Sequence, residues 1–433
     1  MRILAILTLA VGLHAQTPAR RPMQLGVDAD NWSGQIAHKE FEAGLRQMNV
    51  DFISWHINPE EERRPELLNA IVQFCRRNHW SYLFNTEIAN YKRDEPAFRH
   101  PDGTYRYDLA EHTLLQLKDD PLFLGVVYDE ADLVQALCGE TVGKSYVAPY
   151  FADTRALSPS DAFLAVARKV KELRERYAKY GKRLIFEMTF PDYPFAFARG
   201  GGLLAPKLLK ENYNDLMYAV YRGAALEYNA EELWACIDLW FLDKFPTNGK
   251  LIAGAHTPEE LLESLQFAFL KGFDFVYIEQ AKALMTEGFE LTPYAQKVIE
   301  FQTWRTKQQQ GDWRTEAVTE YVKRFPDGYW GQDYGTFIPD HPYGSWAENP
   351  YRPADRVWFQ TLHDLSHGVI PLDADNWNAT RNPELKPGSY KTLAGLPGLV
   401  VFDHLGVIPP STKAKVLDLT AIGEDAPHDR RHN

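Results

Sequence analysis

Cysteine is scarce in this chain of 433 residues, which contains only Cys75, Cys138 and Cys236. An odd number of cysteines without C-x-x-C spacing indicates neither a disulfide framework nor a zinc site, so buried free thiols are the simplest interpretation. The sequence also lacks the H-E-x-x-H and H-x-H patterns of metal-binding histidines. We therefore expect no metal and no cofactor.

Positive charge is also in short supply, since 47 Lys and Arg residues stand against 59 Asp and Glu residues and the net charge is −12. Nucleic acids and anionic membranes attract basic surfaces, so we expect neither as a partner. Beyond the N-terminus, no stretch has the ~18 uninterrupted apolar residues of a membrane span. The composition permits a neutral substrate and leaves the oligomeric state open.

The N-terminal residues MRILAILTLAVGLHAQ have the order of a secretory signal peptide. Arg2 supplies a short basic region, an apolar run follows, and a small residue precedes Gln16. The apolar run is too short for a transmembrane helix. We expect residues 1–15 to be a cleaved signal peptide and the mature protein to be secreted or periplasmic.

From residue 16 to about residue 312, short apolar runs that end in polar residues alternate with longer amphipathic runs. The apolar runs are residues 23–30, 50–58, 80–90, 122–132, 182–190, 233–243, 250–256 and 273–281. Eight strand–helix alternations over this length predict an α/β fold of the (β/α)8 TIM-barrel type, which typically takes ~250 residues. A strand at 224–229 and a doubly wound sheet are the alternatives.

Two local signals refine this prediction. The stretch FARGGGLLAP, with three consecutive glycines, is interpreted as a flexible loop after the fifth strand. A helix is expected to begin at Thr257, with Glu260 placed for a capping box, and to end at Gly272. Thr292 and Pro293 mark the start of another helix.

The composition changes near residue 312, where Gly, Pro and aromatic residues become frequent. The later segment LPGLVVFDHLGVIPPSTKAKVLDL has the pattern of a strand, a loop and a helix. We expect residues 313–433 to form a smaller, truncated α/β domain of Rossmann- or flavodoxin-like type. The polar end of the chain predicts a disordered tail after about residue 415.

Polar residues recur where the predicted barrel strands end, which is where barrel enzymes carry their functional groups. A single strand-end carboxylate often caps a helix or pairs with a basic residue, but a series of them is harder to explain structurally. Acidic residues are poor strand formers and are rarely buried. The candidates are Asp28, Asp30, Trp32, His56, Asn85, Glu87, Asp129, Glu130, Glu187, Asp238, Trp240 and Glu279.

Such a set suits glycoside hydrolysis, in which one carboxylic acid protonates the leaving oxygen and a second carboxylate attacks or activates water. The signal peptide, FNTEIAN, GVVYDEAD and YIEQ resemble the corresponding features of secreted TIM-barrel glycoside hydrolases. The segment beginning LPGLVVFDHL resembles the glutamine-amidotransferase-like domain that follows the barrel in some of these families. The resemblance implies a glycosidase acting on a neutral oligo- or polysaccharide.

The Asn-Glu pair that marks the acid/base in the largest clan of these enzymes is Asp129-Glu130 here. Successive strand residues point to opposite faces, so a regular strand directs only one of the two into the mouth. The match to the clan's Glu favours Glu130 as acid/base, with Asp129 next. For the second carboxylate we rank Glu279 first, then Asp238, then Glu187.

Two alternatives remain open at this point. One is a polysaccharide-acting hydrolase or lyase that uses a His or Tyr base, for which His56 and Tyr128 are the candidates. The other is a non-catalytic carbohydrate-binding barrel. In the glycosidase, the residues expected to bind the sugar are Asp28, Asp30, Trp32, His56, Asn85, Glu87, Glu187 and Trp240. Two correctly spaced carboxylates at the mouth would distinguish an enzyme from a binding protein.

Overall fold

A computed structural model describes residues 22–29, 36–57, 59–86, 109–132, 141–142, 146–147, 151–152, 159–189, 193–209, 214–239, 257–323, 400–403 and 408–418. Eight parallel strands close into a barrel in which each strand pairs with its neighbours in sequence order. Their bounds are β1 Gln24–Asp28, β2 Phe52–His56, β3 Ser81–Asn85, β4 Phe123–Asp129, β5 Arg183–Met188, β6 Leu203–Leu208, β7 Trp234–Asp238 and β8 Phe275–Glu279. The predicted TIM barrel is confirmed.

Helices alternate with these strands and cover the outside of the barrel. They are α1 Lys39–Gln47, α2 Pro59–Glu62, α3 Pro65–Asn78, α4 Glu111–Leu117, α5 Pro159–Ala178, α6 Pro194–Arg199, α7 Asn214–Glu227, α8 Pro258–Lys271, α9 Ala281–Leu284 and α10 Pro293–Arg305. As predicted, Thr257 and Glu260 form a capping box at the start of α8, and Gly272 ends it with a φ of 85°. Thr292 likewise caps α10 by accepting a hydrogen bond from the Ala295 amide.

The alternation of side chains along each strand separates two cores. One set of residues packs against the helices, and the other fills the barrel interior. The interior cluster contains Phe52, Leu83, Val127, Ile185, Ala205, Trp234, Cys236, Phe275 and Tyr277. At its lower end Trp234 stacks on Phe275 with ring centroids 3.9 Å apart. The next inward positions along the strands lie at the carboxyl ends and are almost all polar.

The sixth strand was assigned wrongly from the sequence. The stretch interpreted as a flexible loop is helix α6, a short glycine turn and strand β6, and this strand pairs with β5 and β7. Pro206 within β6 explains the error, because proline lacks an N–H and argues against a central strand. The run at 233–243 therefore supplies the seventh strand, and the run at 250–256 lies outside the described residues.

The alternative strand at 224–229 is also wrong, because helix α7 occupies most of this range. The pattern of a short amphipathic segment is compatible with a strand or a helix. Here the segment is helical and packs against β6. The closed order of eight strands likewise excludes a doubly wound sheet.

Beyond the barrel, three short parallel strands form a second sheet: β9 Glu320–Lys323, β10 Val400–Asp403 and β11 Lys415–Asp418, with β9 in the centre. The segment around β11 was predicted as a helix, which is wrong for residues 415–418 because they form a strand. The disordered tail after about residue 415 stays a prediction. Tyr321 packs against Leu226 of α7, which joins this sheet to the barrel. Residues beyond 418, most of the predicted second domain and the predicted signal peptide lie outside the described residues.

A search of the described helices finds none with the length and apolar character needed to cross a membrane.

Candidate active site

The carboxyl ends of the eight barrel strands carry a layer of buried polar side chains. Every strand contributes one residue, because each lies two positions beyond an interior residue and points the same way. In chain order the layer consists of Asp28, His56, Asn85, Asp129, Glu187, Lys207, Asp238 and Glu279. Strand pairing places Asp129 beside Glu187 and Asp238 beside Glu279. Polar residues at this end of a barrel are typical of function rather than of stability.

Lys207 lies at the centre of this layer and contacts five carboxylates. Its Nζ atom is 2.7 Å from Glu187 Oε1 and 2.8 Å from Glu279 Oε2. It is 3.2 Å from Asp129 Oδ1 and 3.4 Å from both Glu130 Oε1 and Asp238 Oδ2. The carboxylates come from β4, β5, β7 and β8, which are the two strands on each side of β6.

A chain of polar contacts connects Lys207 to the far side of the barrel. His56 Nε2 lies 2.8 Å from Asp28 Oδ1. The Asn85 side-chain amide lies between two carboxylates, 3.4 Å from Asp28 Oδ2 and 3.0 Å from Asp129 Oδ2. Asp129 then contacts Lys207 through its other oxygen. An amide between two carboxylates donates to both, so Asn85 separates their charges while linking their positions.

Glu130 joins the layer through a change in backbone conformation. The sequence predicted that only one of Asp129 and Glu130 could face the mouth, but both contact Lys207. Glu130 has a φ of 51°, in the left-handed region that a non-glycine residue seldom adopts. The strand is therefore no longer regular at this point, and the Glu130 side chain turns back over the mouth. Backbone strain of this kind is often found at functional sites.

The protonation of the layer is governed by burial and by mutual repulsion. Burial raises the pKa of Glu187 to about 8; the Lys207 charge opposes this shift and the Glu279 charge adds to it. The Tyr277 hydroxyl hydrogen-bonds Glu187 Oε2. Burial and the nearby Glu187 charge raise the pKa of Tyr277 well above its ordinary value. Glu187 is therefore protonated at neutral pH.

The pKa of Lys207 is shifted in the opposite direction to that of a typical buried lysine. Burial lowers its pKa, but Asp129, Glu187, Glu279 and Glu130 raise it by more, and the net result lies well above the ordinary value. A lysine that acts as an amine nucleophile needs a depressed pKa so that it can lose its proton. The surrounding carboxylates favour the charged form of Lys207 instead.

Glu187, Cys236 and Glu279 bring their potential ligand atoms within 4.8 Å of one another. The ammonium of Lys207 already lies at hydrogen-bonding distance from the two carboxylates of this trio. Burial raises the pKa of the Cys236 thiol well above its ordinary value, and the neighbouring carboxylates add to this shift, so the thiolate form that a metal requires is disfavoured. The trio therefore fits a bound metal poorly.

Most of the predicted site residues come together in the layer. Asp28, His56, Asn85, Asp129, Glu130, Glu187, Asp238 and Glu279 all belong to it, whereas Asp30, Trp32, Glu87 and Trp240 lie outside the described residues. Tyr128 is wrong as a candidate base at the mouth, because its ring packs against Phe186 and Tyr177 on the helix side of the barrel. The residue between two inward positions must face outward.

Sequence reasoning missed Lys207, Tyr277 and Cys236. Lys207 was lost with its strand, which the glycines and Pro206 disguised as a loop. The alternation Leu203, Ala205, Lys207 could have revealed it, since small and apolar inward residues precede a polar one as in the other strands. Tyr277 was not identified because an aromatic residue inside a strand is typical of the hydrophobic core.

Comparisons with solved structures find matches at low sequence identity and with TM-scores below 0.5. A GH5_18 protein from Streptomyces cattleya, solved in complex with GlcNAc, is 14% identical with a TM-score of 0.47, and the match covers 89% of this chain and 99% of that one. A D-psicose 3-epimerase with D-tagatose from Clostridium cellulolyticum H10 is 11% identical with a TM-score of 0.36, covering 66% and 99%. An L-ribulose 3-epimerase is 15% identical with a TM-score of 0.36, covering 66% and 96%.

No protein-family model matches the sequence, and the comparison with curated proteins finds no match. The class of fold is therefore defined by the strand order of the chain itself, which is that of a (β/α)8 barrel.

Proposed function

We propose that this protein is a glycoside hydrolase that cleaves a neutral oligo- or polysaccharide by a two-carboxylate mechanism. The observation that carries the proposal is the gathering of five carboxylates around Lys207 at the carboxyl ends of the barrel strands. A pair of carboxyl groups in different protonation states is what this chemistry requires. Fold alone does not give function, so the proposal rests on the site.

Glu130 is the proposed acid/base and Glu279 the proposed nucleophile. Among the five carboxylates, Glu130 is the one that lies beyond the end of its strand, one residue after β4. Only 3% of its surface is exposed. The proposed role requires Glu130 to hold a proton that it gives to the leaving oxygen. Glu279 lies 2.8 Å from the Lys207 ammonium, which favours its ionised form.

Glu187 is a less suitable acid although it holds a proton at neutral pH. One of its oxygens contacts Lys207 and the other accepts the hydrogen bond from Tyr277, so neither is directed at a substrate. We assign it the role of the protonated carboxyl that limits the charge of the layer. Asp129 and Asp238 are the reserve pair.

In the first step, Glu130 would give its proton to the glycosidic oxygen while Glu279 attacks the anomeric carbon. The bond to the leaving group breaks and a covalent glycosyl ester forms on Glu279. In the second step, ionised Glu130 takes a proton from water, which attacks the same carbon and releases Glu279. Both carboxyl groups then return to their starting states.

The spacing of the pair predicts retention of anomeric configuration. The Glu130 and Glu279 oxygens that contact Lys207 lie 3.4 Å and 2.8 Å from the same nitrogen, so these two atoms are at most about 6.2 Å apart. Retaining glycosidases hold their carboxyls ~5–5.5 Å apart, whereas inverting ones need ~6.5–9.5 Å to admit a water. Proton NMR of the first product formed should show the anomer of the substrate, and the opposite anomer would contradict this pair.

The test of the function is a panel of neutral glycans assayed for reducing-sugar release. The wild-type protein should act on at least one glycan, while the double variant Glu130→Gln/Glu279→Gln, prepared in the same way, should not. Equal release by both preparations would identify a contaminant and reject the proposal. Binding without release by the wild type would favour the non-catalytic barrel.

A second candidate function rests on the contact between His56 and Asp28. A carboxylate 2.8 Å from an imidazole can orient it as a general base, as a polysaccharide lyase would require. A lyase leaves a conjugated double bond in its product, which ultraviolet absorbance detects. Including a uronate-containing glycan in the panel distinguishes the two reactions.

A further inference from the structure

Lys207 is the lysine of the polar layer, and its surroundings are unusual for a lysine. Its side chain is completely buried, and its Nζ contacts five carboxylates. They belong to Asp129, Glu130, Glu187, Asp238 and Glu279. Among the described residues, Cys236 and Tyr277 are further titratable groups in this neighbourhood, and Asp28 with His56 lies beyond Asn85.

The described contacts of Lys207 place five carboxylates around one ammonium group. Repulsion between buried carboxylates is unfavourable, and a proton retained on one of them reduces it. Burial raises the pKa of Glu187 to about 8, which favours its protonated form at neutral pH. The number of retained protons depends on the charge at the centre of the group.

We propose that Lys207 is the fixed counter-ion of the site, a positioning residue whose charge holds Glu130 and Glu279 together and sets how many protons the carboxylates share. This inference rests on the proposed function for its kinetic consequences only. Lys207 touches the reacting carboxylates and acts through them rather than on the substrate. The cation that brings acidic groups together is thus part of the polypeptide and cannot dissociate.

The test compares Lys207→Met, which keeps the length of the side chain without its charge, with Lys207→Arg, which keeps the charge. Without the cation, each carboxylate loses an opposite charge within 4 Å, a change that typically raises a carboxyl pKa by about 1–3 units. The pH optimum of kcat/KM should therefore move upward by about 1–3 units in Lys207→Met and recover towards the wild-type value in Lys207→Arg. Lys171→Met, on the exposed face of α5, is the matched control.

An infrared measurement tests the same inference without requiring activity. Protonated carboxyl groups have a carbonyl stretch that carboxylates lack, and Glu187→Gln identifies the part of this band that belongs to Glu187. At neutral pH the band should be stronger in Lys207→Met than in the wild type and unchanged in Lys171→Met. An unchanged band in a folded Lys207→Met protein would overturn the proposal even if the protein is a glycosidase.

If Lys207→Met does not fold, the wild-type protein still decides the matter. Carbon NMR of the lysine Cε atoms should show Lys207, identified by its absence in Lys207→Arg, still charged at a pH at which exposed lysines have titrated. Titration of Lys207 below the exposed lysines would mean a neutral amine at the centre of the site and would overturn the proposal. Failure of every glycan in the activity panel, with this titration as expected, would reject only the proposed function.

Discussion

Glu187 shows how a single carboxyl group can retain a proton inside this barrel. Its pKa is raised from 4.5 to about 8, chiefly by burial. Between these values the native state binds a proton that the unfolded chain has released, so the free energy of unfolding should fall as the pH rises. One such proton contributes a slope of at most about 1.4 kcal/mol per pH unit.

The first prediction concerns this slope. Glu187→Gln cannot ionise, so its free energy of unfolding should depend less on pH between about 5 and 8 than that of the wild type. Urea denaturation at several pH values measures both proteins. A difference between them that stays constant over this range would show that Glu187 is ionised in the native state.

At the scale of single residues, the sequence analysis named most of the described residues that meet at the strand ends but not Lys207 at their centre. Asp28, Asp129, Asp238 and Glu279 could be recognised because an acidic residue at the end of an apolar run is rarely explained by packing. Lys207 could not be recognised in this way, since its strand was not identified. The contact of both Asp129 and Glu130 with Lys207 was also unpredictable. It depends on a left-handed φ at Glu130, and a glutamate at this position does not indicate that conformation.

At the scale of elements, the clearest sequence signal was the start of α8. Thr257 accepts a hydrogen bond from the Glu260 amide, and the Glu260 carboxylate accepts one from the Thr257 amide at 2.8 Å. Both were anticipated because the capping box is a local pattern that needs no tertiary information. The glycine turn before β6 could not be predicted from a local pattern. Its conformation depends on close packing of Gly200 against Val170 and of Gly202 against Phe186.

The second prediction tests this cap. Thr257→Ala removes the acceptor for the Glu260 amide and should lower the free energy of unfolding by about 1 kcal/mol. Thr257→Ser keeps the hydroxyl and should lie close to the wild type in the same chemical denaturation experiment. Equal losses in the two variants would assign the effect to the lost methyl group rather than to the cap.

The third prediction concerns Gly125, which lies at an irregularity in the pairing of β3 with β4. It has a φ of 149°, and a Cβ atom there would lie 2.1 Å from the Arg183 carbonyl oxygen. Gly125→Ala should therefore be strongly destabilising, and any folded fraction should lose the register that directs Asp129 inward. Gly181→Ala is the matched control: its φ of 66° carries strain of about 1–2 kcal/mol, but nothing lies within 4 Å of the new atom.

If Gly125→Ala and Gly181→Ala lose the same amount of stability in chemical denaturation, backbone strain alone would explain both. The close contact with Arg183 would then have no measurable cost, and the account of the β4 irregularity would be wrong.

At the scale of the whole molecule, the closed eight-stranded barrel followed from counting strand–helix alternations, although one strand was misplaced. The number of strands was still correct, because the sequence analysis missed β6 and counted the run at 250–256 as a strand in its place. A barrel brings strand ends from distant parts of the chain to one mouth, so residues as far apart as Asp28 and Glu279 become neighbours of the same network. Their actual distances depend on side-chain packing, which the sequence does not encode locally.

The fourth prediction concerns export. The basic, apolar and small-residue order of the first 16 residues predicts that the mature protein begins at or near Gln16. N-terminal sequencing of protein recovered from the periplasm or the medium of a bacterial host measures this directly. Protein that retains Met1 and stays in the cytoplasm would contradict the prediction.

The most direct test of the account as a whole is the turnover number of two single variants on a glycan that the wild type cleaves. Glu130→Gln and Glu279→Gln keep the shape of each side chain but remove its ability to carry a proton or to attack, so each should lower kcat by ~10²-fold or more. Glu300→Gln, an exposed change on α10, should leave kcat unchanged. If Glu130→Gln and Glu279→Gln keep near-wild-type turnover, the proposed pair is wrong, and Asp129 with Asp238 must be tested in its place.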